Sequence, residues 1–185
     1  MEISNQECEW QEISCLDDSI CVRLPYNWER PSDETITKKF PYHTKPQEIY
    51  ADAEENRLIT FSLLGKPLGE VQVYPAIKEI QRLINHVYPE SIHKAARKCK
   101  VADGSAGWFT FITGGIKEDM GHFMFVLPVN ESMLLGSYHA PAKLIPEETS
   151  LFLKILKNIK IRSNAEDRLS GYEGSGLRRQ NYIGS

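Results

Sequence analysis

The apolar positions of the chain recur with two different periods, and the switches between them mark out its elements. Residues 10–16 and 19–24 read as short strands separated by Asp17-Asp18, whose side chains favour turns by bonding nearby backbone amides, so a hairpin is expected. Residues 29–39 are polar and carry Pro31, with Pro41 and Pro46 behind them, which predicts a loop crossing the surface. A second strand pair is expected over residues 47–52 and 57–64, around Glu54-Glu55-Asn56.

After Gly65 the period becomes helical. Val73, Ile77, Ile80, Ile84 and Val87 follow at spacings of four, three, four and three, which puts all five on one face of a helix that should cover a sheet. Pro75 suits its first turn, and Pro89 lies beyond its end. Strands return at residues 92–101, 106–112, 122–129 and 133–139, joined by turn-like connectors, the pattern of a consecutive antiparallel meander. Both alternating faces are apolar in residues 108–112 and 123–127, as in strands covered on both sides. Pro146 and Glu147-Glu148 open a last helix with Leu151, Phe152, Ile155, Leu156 and Ile159 as its core stripe. The early segment SICVRLPYNW, residues 19–28, and the late segment LFLKILKNIKI, residues 151–161, are suited to close one core. The expected fold class is therefore α+β, with a single domain over residues 1–161. Residues 162–185 have no periodic pattern, and a disordered C-terminal tail is expected there.

Composition narrows the function classes. With 41% hydrophobic and 25% charged residues the chain is an ordinary globular one, and a net charge of −3 supplies no field to attract nucleic acid or an anionic membrane. No stretch reaches the roughly 18 apolar residues of a membrane span, and the N-terminus has neither a positive n-region nor an apolar h-region. A cytoplasmic location, with no membrane partner, is the expectation. Cys8, Cys15, Cys21 and Cys99 form no CxxC pair and are expected to be free thiols.

The order of elements resembles that of the Mog1/PsbP-like superfamily, including its bacterial branch related to DcrB and the DUF1795 domains. The resemblance covers residues 10–161. It rests on an opening strand ending in Leu24-Pro25 with Trp28 behind it, a helix before the meander, the strand Ala106-Gly107-Trp108-Phe109, and a final helix running into Asn158-Ile159-Lys160-Ile161. It implies an antiparallel sheet flanked by helices on both faces, an α-β-α sandwich. It further implies a non-enzymatic module that binds another protein, as an accessory or as a chaperone for a secreted or effector partner. No partner-binding motif of the family matches residue by residue, and the span of partners shows that this fold does not fix function.

Candidate chemistry is sparse. His122 and His139 lie on neighbouring meander strands and could meet, but the three convergent ligands of a zinc site are not in view, and no metal or cofactor is expected. In Ser137-Tyr138-His139 the serine and histidine share a face, yet no GxSxG elbow lifts the serine toward substrate. Thr113-Gly114-Gly115 lacks the lysine and hydroxyl of a phosphate loop. Trp108, Phe109, Phe111, Phe123 and Phe125 read as core, since no basic residues interleave with them as in an RNA-binding sheet. The basic run from Lys94 to Lys100 reads as a solvated edge strand. Two readings remain. The first is an interaction module with an exposed apolar patch, its tail offering Tyr172, Arg178, Arg179 and Tyr182 as a short linear motif. The alternative is a small-molecule-binding protein or enzyme with its site near His122, Tyr138 and His139.

Overall fold

The structure is a computed structural model that describes residues 9–41, 44–115 and 118–162. The hairpin of β1 (Trp10–Cys15) and β2 (Ile20–Pro25) forms as its pattern predicts, turning through Leu16, Asp17 and Asp18, all at positive φ. β3 (Glu48–Ala51) and β4 (Leu58–Pro67) make the second pair. The meander follows as β5 (Ile92–His93), β6 (Arg97–Val101), β7 (Gly104–Thr113), β8 (Met120–Val129) and β9 (Ser132–Pro141). β4 inserts beside β9, so the large sheet runs β3-β4-β9-β8-β7, with β5 and β6 sharing the far edge of β7. All these pairings are antiparallel.

Helix α2 (Val73–Val87) begins and ends where its stripe predicts and packs on one sheet face, with Val73 and Ile77 against Phe109, Phe111 and Val126. Gly107 makes that approach possible. A Cβ there would stand 2.7 Å from Ile77 Cγ2 and 3.1 Å from the Val73 carbonyl oxygen. The other face carries Trp108, Phe123, Phe125, Tyr138, Ile59 and Phe61, covered by Phe152, Ile155 and Leu156 of α3 (Ile145–Lys157) and by Ile20, Val22 and Leu24 of β2. The sheet is therefore flanked on both faces, and the doubly apolar strands are its central ones.

The structure corrects several boundaries. Residues 33–39 are not loop but a helix, α1 (Asp33–Lys39), capped by Ser32, whose Oγ accepts from the Thr35 amide at 3.2 Å. Asp33 and Glu34 sit in its first turn, Lys38 and Lys39 in its last, and Ile36 is buried against Ile49, Ala51 and Leu58. Residues 92–101 are two strands, because the register on β7 shifts by one residue between the Ile92↔Ile112 and Arg97↔Trp108 pairs. The final helix stops at Lys157, and Lys160–Ile161 form a strand, β10, on Ile20 and Cys21 of β2. The two chain segments expected to close one core thus also share a sheet of their own, β1-β2-β10.

Candidate functional site

Strand alternation builds the site. On the α2 side of the sheet Thr60 stands opposite Ser137, and His139 stands opposite His122. Their side chains join in a continuous hydrogen-bonded row. Thr60 Oγ1 lies 2.7 Å from Ser137 Oγ, which lies 2.7 Å from His139 Nε2. The two Nδ1 atoms of His139 and His122 are 2.6 Å apart, and His122 Nε2 is 2.8 Å from Thr113 Oγ1. The row crosses four adjacent strands, β4, β9, β8 and β7.

Both imidazoles titrate well below their ordinary range. Burial does this for His122, and for His139 burial acts together with the neighbouring His122 and the Lys39 charge. Both rings are therefore neutral at pH 7, each with one N–H and one acceptor nitrogen. In one direction of the row His122 Nδ1–H donates to His139, whose Nε2–H donates to Ser137, while Thr113 donates to His122. In the other, Thr60 donates to Ser137, Ser137 to His139 Nε2, His139 Nδ1–H to His122, and His122 Nε2–H to Thr113. The pair can hold one extra proton but not two, since two Nδ1–H groups would then face each other.

The row floors a cavity of about 360 Å³ roofed by the C-terminal ends of α1 and α2. Phe40, Leu58, Ile84, Tyr88, Phe111, Met120 and Met124 supply its apolar walls, and Lys39, Asn56, Thr113, His122 and His139 its polar groups. Phe111 is stacked with the residues paired to it on its two neighbouring strands, His122 at a ring-centroid distance of 4.5 Å and His93 at 5.4 Å, and with Tyr88 at 6.3 Å. Among the described residues no carboxylate lines it. The C-terminal end of α2 leaves apolar side chains in solvent. Val87, expected on the buried stripe, is 63% exposed, and Leu83 (54%), Tyr88 (40%) and Ile92 (69%) also show large apolar surface.

Of the residues singled out in the sequence, His122 and His139 are brought together, and Ser137 joins them. Tyr138 is not with them. One position along β9 turns it to the opposite face, where it is fully buried, its hydroxyl donates to Glu148, and its ring stacks on Trp28 at 5.9 Å. Burial, followed by the hydrogen bond to Glu148, pushes its phenol far above the ordinary range. Tyr172, Arg178, Arg179 and Tyr182 lie outside the described residues. Sequence reasoning missed Thr60 and Lys39, and weighed Thr113 only as part of a phosphate loop. Thr60 needs the β4–β9 register, and Lys39 needs helix α1, whose signal was the run Ser32-Asp33-Glu34. Among the described residues no group of three or more His, Cys, Asp or Glu side chains could hold a metal ion, and no helix is long and apolar enough to cross a membrane.

This architecture is the Mog1/PsbP-like α+β fold. The chain is similar to cyanobacterial PsbP from Synechocystis (TM-score 0.58, 9% identity, 86% of this chain and 96% of that one). It is similar also to the Ran-binding protein Mog1p of Saccharomyces cerevisiae (TM-score 0.55, 10% identity, 85% and 98%). A third similar structure is a Bacteroides thetaiotaomicron protein (TM-score 0.52, 9% identity, 83% and 49%). No protein-family model matches the chain, and no curated protein matches it.

Proposed function

We propose that this protein is a non-enzymatic interaction module that holds an amphipathic segment of another protein against the exposed C-terminal end of α2. The observation that carries the reading is the cluster of exposed apolar side chains within residues 83–92, beyond anything the core requires. Mog1p, of like fold, is a Ran-binding protein, which supports protein binding as a use of this scaffold. An accessory or chaperone-like role toward a secreted or effector partner is the finer part of the proposal. A cytoplasmic setting belongs to it too, supported by the free thiols of Cys15, Cys21 and Cys99. The His–Ser contact argues for no hydrolase, because Ser137 is 8% exposed, shares its Oγ with Thr60, and pairs with a histidine oriented by another histidine rather than by a carboxylate.

The test is photo-crosslinking from position 87, compared with crosslinking from the more exposed Val71, followed by reconstitution with the purified product. A single stoichiometric adduct from position 87, absent from position 71 and lost when Leu83→Asp is added, supports the proposal. Equal products from both positions would sink it.

A second reading has its own observation. The cavity between α1, α2 and the histidine row, about 360 Å³ with convergent polar groups, is of the size that small molecules occupy, so the module also binds a small ligand there.

A further inference from the structure

We propose that this cavity takes a small monocarboxylic acid with an apolar or aromatic body, its carboxylate held between the Lys39 ammonium and the Thr113 hydroxyl. The inference rests on the second reading above and names the ligand class.

The polar groups that remain available to a ligand decide the class. Every ring nitrogen of His122 and His139 is engaged within the row, so the histidines present ring surface, not free donors, to the cavity. Among the described residues Lys39 is the cation of the lining and no carboxylate opposes it there. Its Nζ donates once, to the Glu55 carbonyl at 2.8 Å, which leaves two of its three protons for a guest. The Glu55 carboxylate is turned to the Thr35 hydroxyl at 2.9 Å. Glu118, in the connection between β7 and β8, is paired with Lys143 at 3.2 Å. Asp119, next along that connection, is not a lining residue; its Oδ1 lies 3.9 Å from where a Cβ on Gly114 would stand. An anion in the cavity therefore meets Lys39 and, among the described residues, no lining carboxylate.

The rest of the site fits the body of such an acid. Tyr88 and Phe111 contribute aromatic surface to the lining, and Met120, Met124, Leu58 and Phe40 offer apolar walls that adapt to shape. A cationic ligand finds no counter-charge, and a neutral one leaves Lys39 unanswered.

The row contributes through its direction. When Thr60 donates at the far end and each member donates onward, His122 Nε2–H donates to Thr113 Oγ1, and the Thr113 proton is free to point into the cavity. A carboxylate there selects this direction, because all four bonds of the row then polarise toward the negative charge. The reverse direction turns Thr113 into an acceptor for a guest and disfavours an anion. Binding an acid therefore fixes the tautomers of two residues that need not touch it, with His122 protonated at Nε2 and His139 at Nδ1.

The test uses the full chain, labelled with 15N at histidine, titrated at pH 7 with 4-phenylbutyrate, 4-phenylbutanol and 4-phenylbutylamine. The acid is expected to bind about tenfold more tightly than the alcohol, the worth of one charge-assisted contact. Its binding is expected to move the His122 and His139 nitrogens to the Nε2–H and Nδ1–H patterns. Lys39→Met, a change at an exposed position, removes the difference between acid and alcohol, and Thr113→Val removes the tautomer response while leaving apolar binding. Alcohol or amine binding as tight as the acid, or acid binding with unchanged histidine signals, overturns the inference while the small-ligand reading stands. No binding by any of the three up to about 10 mM, where affinity is too weak to be specific, overturns both.

Discussion

At the scale of single residues the stability of this protein rests on polar groups held away from water. His122 and His139 are neutral when folded because their folded pKa values are depressed below the ordinary histidine value, and they regain that value on unfolding. The unfolded chain then binds protons that the folded chain refuses, so stability is flat above about pH 6.5 and falls as pH drops below it. Unfolding free energies from urea denaturation at pH 7 and pH 4.5 should differ by about 5 kcal/mol more in the native chain than in a His122→Asn/His139→Asn double variant. Parallel profiles for the two would show that the pair carries no such linkage. On the other sheet face Glu148, 4% exposed, accepts from the Tyr138 hydroxyl and from Arg57 Nε at 2.8 Å, and Arg57 also meets Asp52 at 3.3 Å. Glu148→Ala strands a buried phenol and part of a guanidinium, and should cost about 2–3 kcal/mol by chemical denaturation. Glu148 was legible only as a helix-opening acid. Its burial follows from where α3 lands on β9, which no local pattern states.

At the scale of elements, strength of local signal decides what the sequence reveals. Helix α2 was readable to its ends, since five apolar residues at helical spacing can serve only one face. Helix α1 was hidden because its seven residues bury a single apolar side chain, Ile36, and its identity rests on capping. A short helix of this kind owes its existence to the β3–β4 surface beneath it. The fit of α2 on the sheet depends on a position that no helical pattern contains. Gly107→Ala should lift α2 and cost about 1–3 kcal/mol, because the added methyl meets Ile77 and the Val73 carbonyl at once. Pairing it with Ile77→Val should recover part of that loss, measured as a non-additive double-mutant cycle. Full additivity would mean that the close approach is relieved elsewhere.

At the scale of the whole molecule the exposed end of α2 separates folding from recognition. Leu83 and Val87 face solvent, so Leu83→Ser with Val87→Ser should change stability by no more than about 0.5 kcal/mol while reducing self-association, read by denaturation and by light scattering. A larger loss of stability would show that these side chains serve the core. The sequence by itself determined the class of the fold. Alternation in residues 108–112 and 123–127 demands cover on both sheet faces, and the α2 stripe supplies one of the covers. It also placed Ser137 and His139 on one side of their strand, because side chains in a strand alternate without exception for tertiary context. Only the tertiary structure decided the rest. Whether β4 lies beside β9 is a long-range pairing, and it is that pairing which adds Thr60 to the row. Whether α1 reaches the cavity with Lys39 depends on packing against β3 and β4. Whether residues 83–92 are buried or bare depends on which elements pack against the end of α2. Local periodicity fixes which face a side chain occupies, but the neighbour it meets there is set by the chain's distant contacts.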